Sequence, residues 1–410
     1  MLTIHNIGRL VTMEPAVGRE GSLGVIPKAA ICCDGEQIAW VGPESDLPAE
    51  ARTVTSIDAG GGVVLPGLVD SHTHLVHGGW RVGDFCLRAR GRTYQEIAAS
   101  GGGILSTVRA TREASPEILL SEAAGRAVEA LSLGTTTMEV KSGYGLDWPT
   151  ERKILQVMQK LKTSQPVRIE PTFLGAHLVP EEYRADRSGY VRALCDEMIP
   201  AVAAEGLATC CDCFVEEGAF TPAEARTIAA AASRAGLVVR LHVDQFSDQG
   251  GGGLAAEVGA VSADHLDMIS DAGIKAMARA GVIAGILPGA GFFVGHRQGP
   301  PVGKLVAAGV PIAIATDYNP GTSPTLDLFL CGTIAVTQMG LDPDMALLGI
   351  TSIAARALGR GEAVGSLAVG KAADLIVLEC DSEYFPLYRF GSTVMKMAVI
   401  HGEIAWERSS

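Results

Sequence analysis

The central part of the chain alternates repeatedly between short apolar runs and alanine-rich helical segments. Eight runs rich in β-branched residues span residues 63–72, 135–140, 167–174, 209–215, 238–243, 261–265, 282–287 and 312–316. Helical stretches lie between most of them, for example over residues 116–133, 150–162, 221–235 and 271–280. Strands that alternate with helices form parallel sheets covered by helices. Eight such units in about 300 residues predict a TIM-like (β/α)8 barrel of the α/β class.

An open, doubly wound parallel sheet is the rival architecture for this alternation. Such a sheet usually carries a glycine-rich phosphate-binding loop directly after its first strand. Here the first predicted strand ends in histidines instead. The barrel is therefore the favoured prediction.

Both ends of the chain have a different pattern, with short strands joined by turns. An Asp34-Gly35 pair between two apolar runs is a typical hairpin signal. Similar short runs recur over residues 373–378, 394–400 and 403–406. We therefore expect the two ends to form one small β-sandwich domain. The predicted boundaries are 1–62 and 361–410 for its two parts, and 63–360 for the barrel.

Composition and charge exclude several classes of protein. The formal net charge is −13, and no basic run offsets it, so the surface should repel nucleic acids and anionic membranes. No apolar run reaches 18 residues, and residues 1–13 lack the pattern of a signal peptide. The closely spaced cysteines at 210, 211 and 213 lie in a strand-like run, and we interpret the nine cysteines as reduced thiols in the cytoplasm.

Histidines and one aspartate occur where the predicted barrel strands end, at the edge that carries the active sites of barrels. His72 and His74 end the first strand and share one of its faces, while His242, His265 and Asp317 end the fifth, sixth and eighth strands. Imidazole and carboxylate groups are the usual ligands of catalytic zinc or iron, with one position open to water. We therefore predict one transition-metal ion per chain, either zinc or iron.

Several long motifs identify a family resemblance. Residues 65–74 (LPGLVDSHTH) resemble the opening metal motif of the amidohydrolase superfamily, and residues 365–375 (GSLAVGKAADL) resemble its C-terminal β-domain signature. Within that superfamily, the chain resembles the branch that hydrolyses 4-imidazolone-5-propanoate to N-formimidoyl-L-glutamate, the third step of histidine degradation. The segments that carry this closer resemblance are 101–109, 139–146, 173–177, 262–266 and 315–324.

The resemblance covers nearly the whole chain and implies roles for individual residues. It implies that one metal ion is held by His72, His74, His242 and Asp317. It implies that the substrate is contacted by Arg81, Tyr144, His177, Gln245 and Thr322, and the product by Asn319 and Gly321. It also implies that His265 stands beside the metal-bound water, and that the chain forms a homodimer.

The chemistry of these side chains agrees with a small substrate that has a carboxylate tail. A planar guanidinium such as that of Arg81 binds a carboxylate through two parallel hydrogen bonds. Glycines on both sides of Tyr144 allow its loop to bend close to a ligand. We interpret His177 as a substrate contact rather than a fifth ligand, because four ligands are already present.

One departure from related deaminases concerns the proton shuttle. Many of them carry Glu three residues after the histidine of the fifth strand, whereas this chain has Gln245, which cannot titrate. We therefore expect metal-bound hydroxide to attack the ring carbonyl, and Asp317 to accept the proton of the water and to pass it to the departing ring nitrogen. His265 would stabilise the oxyanion. Lys141 is interpreted as an ordinary loop cation, and Asp244 as a structural residue that faces away from the site.

Two other functions remain open at this point. A metal-dependent deaminase of a heterocycle could use the same fold, although Gln245 and Arg81 count against it. A non-catalytic assembly protein could also retain the barrel, but loss of metal ligands would be expected there. Metal analysis of the purified protein would separate the non-catalytic alternative from the two enzymes.

Overall fold

The computed structural model shows an eight-stranded parallel barrel and a separate mixed sheet built from both chain ends. It describes residues 1–18, 20–92, 96–97, 101–295 and 299–409. The N-terminal segment contributes five strands to the mixed sheet: β1 (Leu2–Val11), β2 (Val25–Asp34), β3 (Gln37–Pro43), β4 (Thr55–Asp58) and β5 (Val63–Pro66).

The barrel strands follow one another around the barrel in sequence order, and each pairs in parallel with its neighbour. They are β6 (Leu68–Asp70), β7 (Thr135–Lys141), β8 (Arg168–Ala176), β9 (Cys210–Val215), β10 (Val238–Val243), β11 (Ser262–His265), β12 (Ile283–Ile286) and β13 (Ile312–Ile314). The predicted (β/α)8 barrel is thus confirmed.

The helices that follow and cover these strands complete the barrel. They are α1 (Val82–Ala89), α2 (Ile104–Glu113), α3 (Pro116–Ser132), α4 (Trp148–Ser164), α5 (Arg187–Arg192), α6 (Ile199–Ala204), α7 (Pro222–Arg234), α8 (Gly251–Val258), α9 (Asp271–Ala280), α10 (Pro288–Val294), α11 (Val302–Ala307), α12 (Leu328–Met339), α13 (Pro343–Gly349), α14 (Ser352–Ala357) and α15 (Phe385–Tyr388). Within the described ranges, no helix is both long and apolar enough to cross a membrane.

Local sequence explains where the longer helices begin. The side chain of Ser115 accepts a hydrogen bond from the amide of Ile118, and proline occupies the first position of α3. At the start of α7, Thr221 and Glu224 bond to each other's backbone amides and form a capping box. These caps satisfy amides that have no partner within the helix.

Three C-terminal strands complete the mixed sheet: β14 (Leu375–Leu378), β15 (Met395–Ile400) and β16 (Glu403–Glu407). The strand order is β16-β15-β14-β5-β1-β2-β3, and β4 pairs with β1. The ten-residue strand β1 pairs with β2 on one side and with β4 and then β5 on the other. The two halves therefore stay hydrogen-bonded to each other, and the predicted sandwich is one branched sheet with a core of its own.

The apolar run over residues 63–72 was expected to be one barrel strand, and the structure corrects this. Its first part is β5 in the mixed sheet, and only β6 belongs to the barrel. Gly67 separates the two at a point of close packing, since a Cβ there would lie 2.0 Å from Oγ1 of Thr136. An apolar run of this length does not reveal such a change of sheet.

The barrel closes through residues that follow its first and last strands. The amide of Asp317 donates to the carbonyl oxygen of His72 at 3.0 Å, and the amide of His74 donates to that of Tyr318 at 2.8 Å. Thr73 and Tyr318 form a parallel bridge between these two bonds. The closure of the barrel and the predicted metal ligands therefore occupy the same backbone segments.

Candidate metal centre and substrate cavity

Three of the predicted metal ligands converge at the C-terminal edge of the barrel. His72, His74 and His242 are buried, and each offers a ligand atom within 4.8 Å of the others' ligand atoms. The rings of His72 and His242 are 4.3 Å apart at their centroids. The Nε2 atoms of these two histidines are buried and form no hydrogen bond within the described residues. Buried nitrogens without a partner are costly unless a ligand satisfies them.

Asp317 completes this group from the segment after β13. Its Oδ1 lies 3.5 Å from Nε2 of His72 and 3.6 Å from Nε2 of His74. The residue has φ of +51°, a left-handed conformation that is uncommon outside glycine and is found at functional sites. Burial raises the pKa of the Asp317 carboxyl well above its usual range and lowers the pKa of His72 and His74 well below theirs. Neutral imidazoles are the form that binds a metal.

Two further carboxylates hold the other side of the histidine rings. Asp264 Oδ2 lies 2.8 Å from Nδ1 of His72, and Asp212 Oδ2 lies 2.9 Å from Nδ1 of His242. A carboxylate on Nδ1 orients the ring and leaves Nε2 to face the metal. The donor set, the unpartnered Nε2 atoms and these supports together fit a divalent metal ion.

Lys141 lies beneath this centre, which corrects its interpretation as a loop cation. It is the last residue of β7 and is fully buried. Its Nζ lies 2.7 Å from Asp212 Oδ2, 2.7 Å from Glu139 Oε2 and 4.0 Å from Asp264 Oδ2. Burial alone would lower the pKa of Lys141, but the charges of Asp212 and Glu139 raise it. Lys141 is therefore the cation that these carboxylates require.

Arg240 is the second buried cation of the same network. It lies on β10, and its Nη2 is 3.2 Å from Asp264 Oδ2 and 2.8 Å from the carbonyl oxygen of Ser71, which it donates to. Sequence reasoning missed Arg240, Asp212 and Asp264 as supports of the centre. Charged residues inside apolar strands were the signal available, because such residues are seldom fully buried unless they are paired.

Arg81, Asn319, Gly321 and Thr322 lie together in the loops after β6 and β13. The amides of Gly321 and Thr322 donate to Oδ1 of Asn319 at 2.9 and 2.8 Å, and its Nδ2 donates to the carbonyl oxygen of Asp317 at 2.7 Å. Nη2 of Arg81 lies 3.4 Å from the same Oδ1. The structure thus brings together two residues predicted to contact the substrate, Arg81 and Thr322, and the two predicted to contact the product.

Tyr144 and His177 lie next to His74. The rings of His74 and His177 are stacked at 5.4 Å with an interplanar angle of 16°, and Tyr144 lies 5.6 Å from each. Nδ1 of His177 lies 3.0 Å from the carbonyl oxygen of Gly143, which fixes the ring. His177 contacts His74 but does not belong to the group of converging ligand atoms.

Gln245 and His265 line one cavity of about 860 Å³, together with Thr322 and residues of several other loops. The ring of His265 lies 5.5 Å from that of His242, so the cavity reaches a residue beside the metal centre. Asp244 faces away from it, as expected: its carboxylate accepts from the amides of Gln249, Gly251 and Gly252 at the start of α8.

Comparisons with known proteins agree with this fold and site. Residues 63–404 match the model of the amidohydrolase family. The fold is also shared with 5-methylcytosine deaminase from Klebsiella pneumoniae (TM-score 0.75, 16% identity, 100% of this chain and 98% of that one). Atrazine chlorohydrolase from Arthrobacter aurescens TC1, complexed with zinc, has a similar fold as well (TM-score 0.70, 16% identity, 98% of this chain and 95% of that one).

The barrel, its terminal sheet and the family match make this chain a member of the amidohydrolase family, hydrolases that act on C–N bonds. Imidazolonepropionase from Cupriavidus pinatubonensis is 46% identical over 92% of this chain and 89% of its own length. The imidazolonepropionase from Paracoccus denitrificans is 44% identical over 98% of this chain and 100% of its own length. Within its family, the chain belongs to the imidazolonepropionases.

Proposed function

We propose that this protein hydrolyses the cyclic amide 4-imidazolone-5-propanoate to N-formimidoyl-L-glutamate in histidine degradation. The observation that carries the proposal is the arrangement at the C-terminal edge of the barrel. There, a centre of three histidines and an aspartate adjoins a cavity, and Arg81 lies in the loops at the same edge. Identity of 43–46% to imidazolonepropionases supports this substrate over an aminated heterocycle.

His72, His74, His242 and Asp317 would hold one zinc or iron ion per chain. A metal of this kind, when bound, lowers the pKa of a water molecule and polarises a carbonyl group. The buried network of Asp212, Asp264, Lys141 and Arg240 would keep His72 and His242 in place, because Nδ1 of each ring faces a carboxylate and these carboxylates face the two buried cations.

The side chains around the centre would divide the work of binding and proton transfer. Arg81 binds the propanoate tail, while Tyr144, His177 and Gln245 orient the ring. Asp317 accepts a proton from the attacking water and delivers it to the ring nitrogen as the bond between that nitrogen and the carbonyl carbon breaks. His265, whose burial keeps its pKa well below the usual value, remains neutral and donates a hydrogen bond to the developing oxyanion.

The partners and the compartment are part of the same proposal. The substrate is a small molecule with a carboxylate tail, and we propose a cytoplasmic homodimer that binds neither nucleic acid nor membranes. The free state of all nine cysteines and the net charge of −13 support this environment. Light scattering of the purified chain would measure the oligomeric state.

The direct experiment follows the loss of 4-imidazolone-5-propanoate by absorbance and identifies the product by mass spectrometry. Other cyclic amides and aminated heterocycles serve as controls, and elemental analysis on the same preparation should find about one metal per chain. Release of ammonia from an aminated heterocycle without turnover of the imidazolone would favour the deaminase instead. Two metals per chain would contradict the single centre.

A further inference from the structure

Asp267 faces the substrate cavity from the turn that follows β11. The cavity is lined by Asp267 together with His265 and Gln245. The turn places two successive residues in the left-handed region, His265 at φ +76° and Leu266 at φ +65°. Leu266 is fully buried, while Asp267 lies on the cavity side. Such conformations are unfavourable for residues with a side chain and persist where the surroundings enforce them.

The carboxylate of Asp267 has no basic partner within the described residues. The arginines that line the same cavity have other partners. Arg187 pairs with Glu224 at 2.6 Å, Arg184 with Glu181 at 3.4 Å and Arg92 with Glu96 at 3.2 Å, while Arg88 donates to the carbonyl oxygen of Gly321 at 3.1 Å. Burial raises the pKa of Asp267 to about 7, and a backbone hydrogen bond of the same residue offsets only part of this effect. A carboxylate in this position is stabilised if the occupant of the cavity supplies hydrogen-bond donors or a positive charge.

The proposed reaction produces such a group. When the ring bond breaks, the water oxygen remains on the carbonyl carbon as a carboxylate, and both water protons end on the two nitrogens. The resulting formimidoyl group is a formamidine, a strong base that is cationic at neutral pH. Arg81 lies beside the loop after β13, whereas Asp267 follows β11. The site therefore offers a cation to the anionic end of the ligand and, at a different place, an anion to its nitrogens.

We propose that Asp267 is a ligand-binding residue whose carboxylate accepts hydrogen bonds from the ring N–H of the substrate and from the cationic formimidoyl group of the product. This inference rests on the proposed function and names the part of the ligand that this end of the cavity recognises. It adds a residue to those that the sequence motifs indicate.

The test compares two ligands that differ in charge at one atom. N-formimidoyl-L-glutamate carries the cation, and N-formyl-L-glutamate replaces it with a neutral amide. Calorimetric titration of the metal-loaded enzyme should show tighter binding of the formimidoyl ligand. Asp267→Asn keeps the shape but removes the charge, so it should weaken that ligand by about 10- to 100-fold, the scale of a charge-assisted hydrogen bond. The affinity for the formyl ligand should change little.

Two further variants serve as controls for this test. Asp271 lies a few residues after Asp267, and its exposed carboxylate pairs with Lys304. Asp271→Asn should leave the affinities for both ligands unchanged. Asp267→Glu retains the charge and should keep a preference for the formimidoyl ligand. If Asp267→Asn does not fold, the test rests on Asp267→Glu. Retention of the preference for the formimidoyl ligand in Asp267→Glu would support the assignment, and loss of that preference would overturn it.

The outcomes separate this inference from the proposed function. If Asp267→Asn loses affinity for both ligands equally, or keeps the wild-type preference for the formimidoyl ligand, the proposed role of Asp267 is wrong. Substrate turnover by the wild type would still support the proposed function. A wild type that neither turns over the imidazolone nor binds either ligand would overturn both proposals together.

Discussion

The guanidinium of Arg81 packs directly against the backbone of Gly321. A Cβ built at position 321 would lie 1.8 Å from Cζ of Arg81, a distance that no side chain could adopt. The arginine therefore keeps its place beside Asn319 because residue 321 has no side chain. Gly321 thus leaves the space that the guanidinium of Arg81 occupies.

Gly321→Ala should displace Arg81 and weaken substrate binding. The lost contact is a charge-assisted hydrogen bond to the propanoate tail, so we expect KM to rise about 10- to 100-fold, with a smaller effect on kcat. Gly253→Ala is the matched control, because a Cβ there meets nothing within 4 Å. Steady-state kinetics of both variants provide the measurement, and a wild-type KM for Gly321→Ala would mean that the tail is bound elsewhere.

Asp317→Asn should separate metal binding from proton transfer. The amide oxygen can remain a weak ligand, but an amide cannot accept the proton of water. We expect some metal and ligand affinity to survive while kcat falls by about 10²–10⁴-fold or more. Metal content, binding of N-formyl-L-glutamate and kcat should be measured on one preparation. A metal-loaded variant within a few-fold of the wild-type kcat would remove Asp317 from the proton path.

Lys141→Met should destabilise the fold and weaken the metal centre. It leaves Asp212 and Glu139 buried without their nearest cation, and breaking a buried pair typically costs about 3–5 kcal/mol in the free energy of unfolding. Because Asp212 supports His242, we also expect metal affinity to fall by about 10- to 100-fold. Denaturant titration and competition with a chelator measure the two effects.

The control for this variant is Lys304→Met. The Lys304–Asp271 pair has similar length, 2.7 Å, but both side chains are about two-thirds exposed. Exposed pairs contribute at most about 1 kcal/mol. Similar losses in the two variants would argue that Lys141 has no special structural role.

The stability of the metal-loaded protein should fall between pH 7.5 and pH 5, partly through His177. Burial lowers the pKa of His177 from 6.5 to about 3, so the ring stays neutral in the folded state while the unfolded chain takes up a proton near pH 6.5. The unfolded state then binds more protons, and acidification favours it. At pH 5 this single group should cost about 2 kcal/mol relative to pH 7.5.

His177→Gln tests this assignment, since glutamine does not titrate. The free energy of unfolding should therefore decrease less in the variant than in the wild type over the same pH range. Denaturant titration at both pH values, with metal present throughout, gives the comparison. Parallel pH dependences in the two proteins would contradict the lowered pKa of His177.

Periodicity and motifs predicted the barrel and the grouping of the metal ligands well. Each of the eight predicted runs overlaps one barrel strand, although the first also includes β5 of the mixed sheet, and His72, His74, His242 and Asp317 meet at one edge. Parallel strands bring their carboxyl ends to that edge whatever the loops contain. This is why residues far apart in the sequence could be assigned to one site.

The supports beneath the centre could not be assigned in the same way. Lys141 ends an apolar strand, and its partner Asp212 lies two strands further around the barrel. Which buried cation faces which carboxylate depends on strand register and barrel shear, and neither can be read from a single sequence. The position of Asp267 depends likewise on the unusual backbone of the preceding two residues.

The backbone closure between His72 and Asp317 has a consequence for how the protein is made. The histidines of the first barrel strand leave the ribosome long before the last ligand is synthesised. Until the eighth strand docks, His72 lacks both its backbone partner and the neighbouring carboxylate. Full coordination can therefore arise only on a completed barrel, and an incorporated metal would hold the two edges of the finished barrel together.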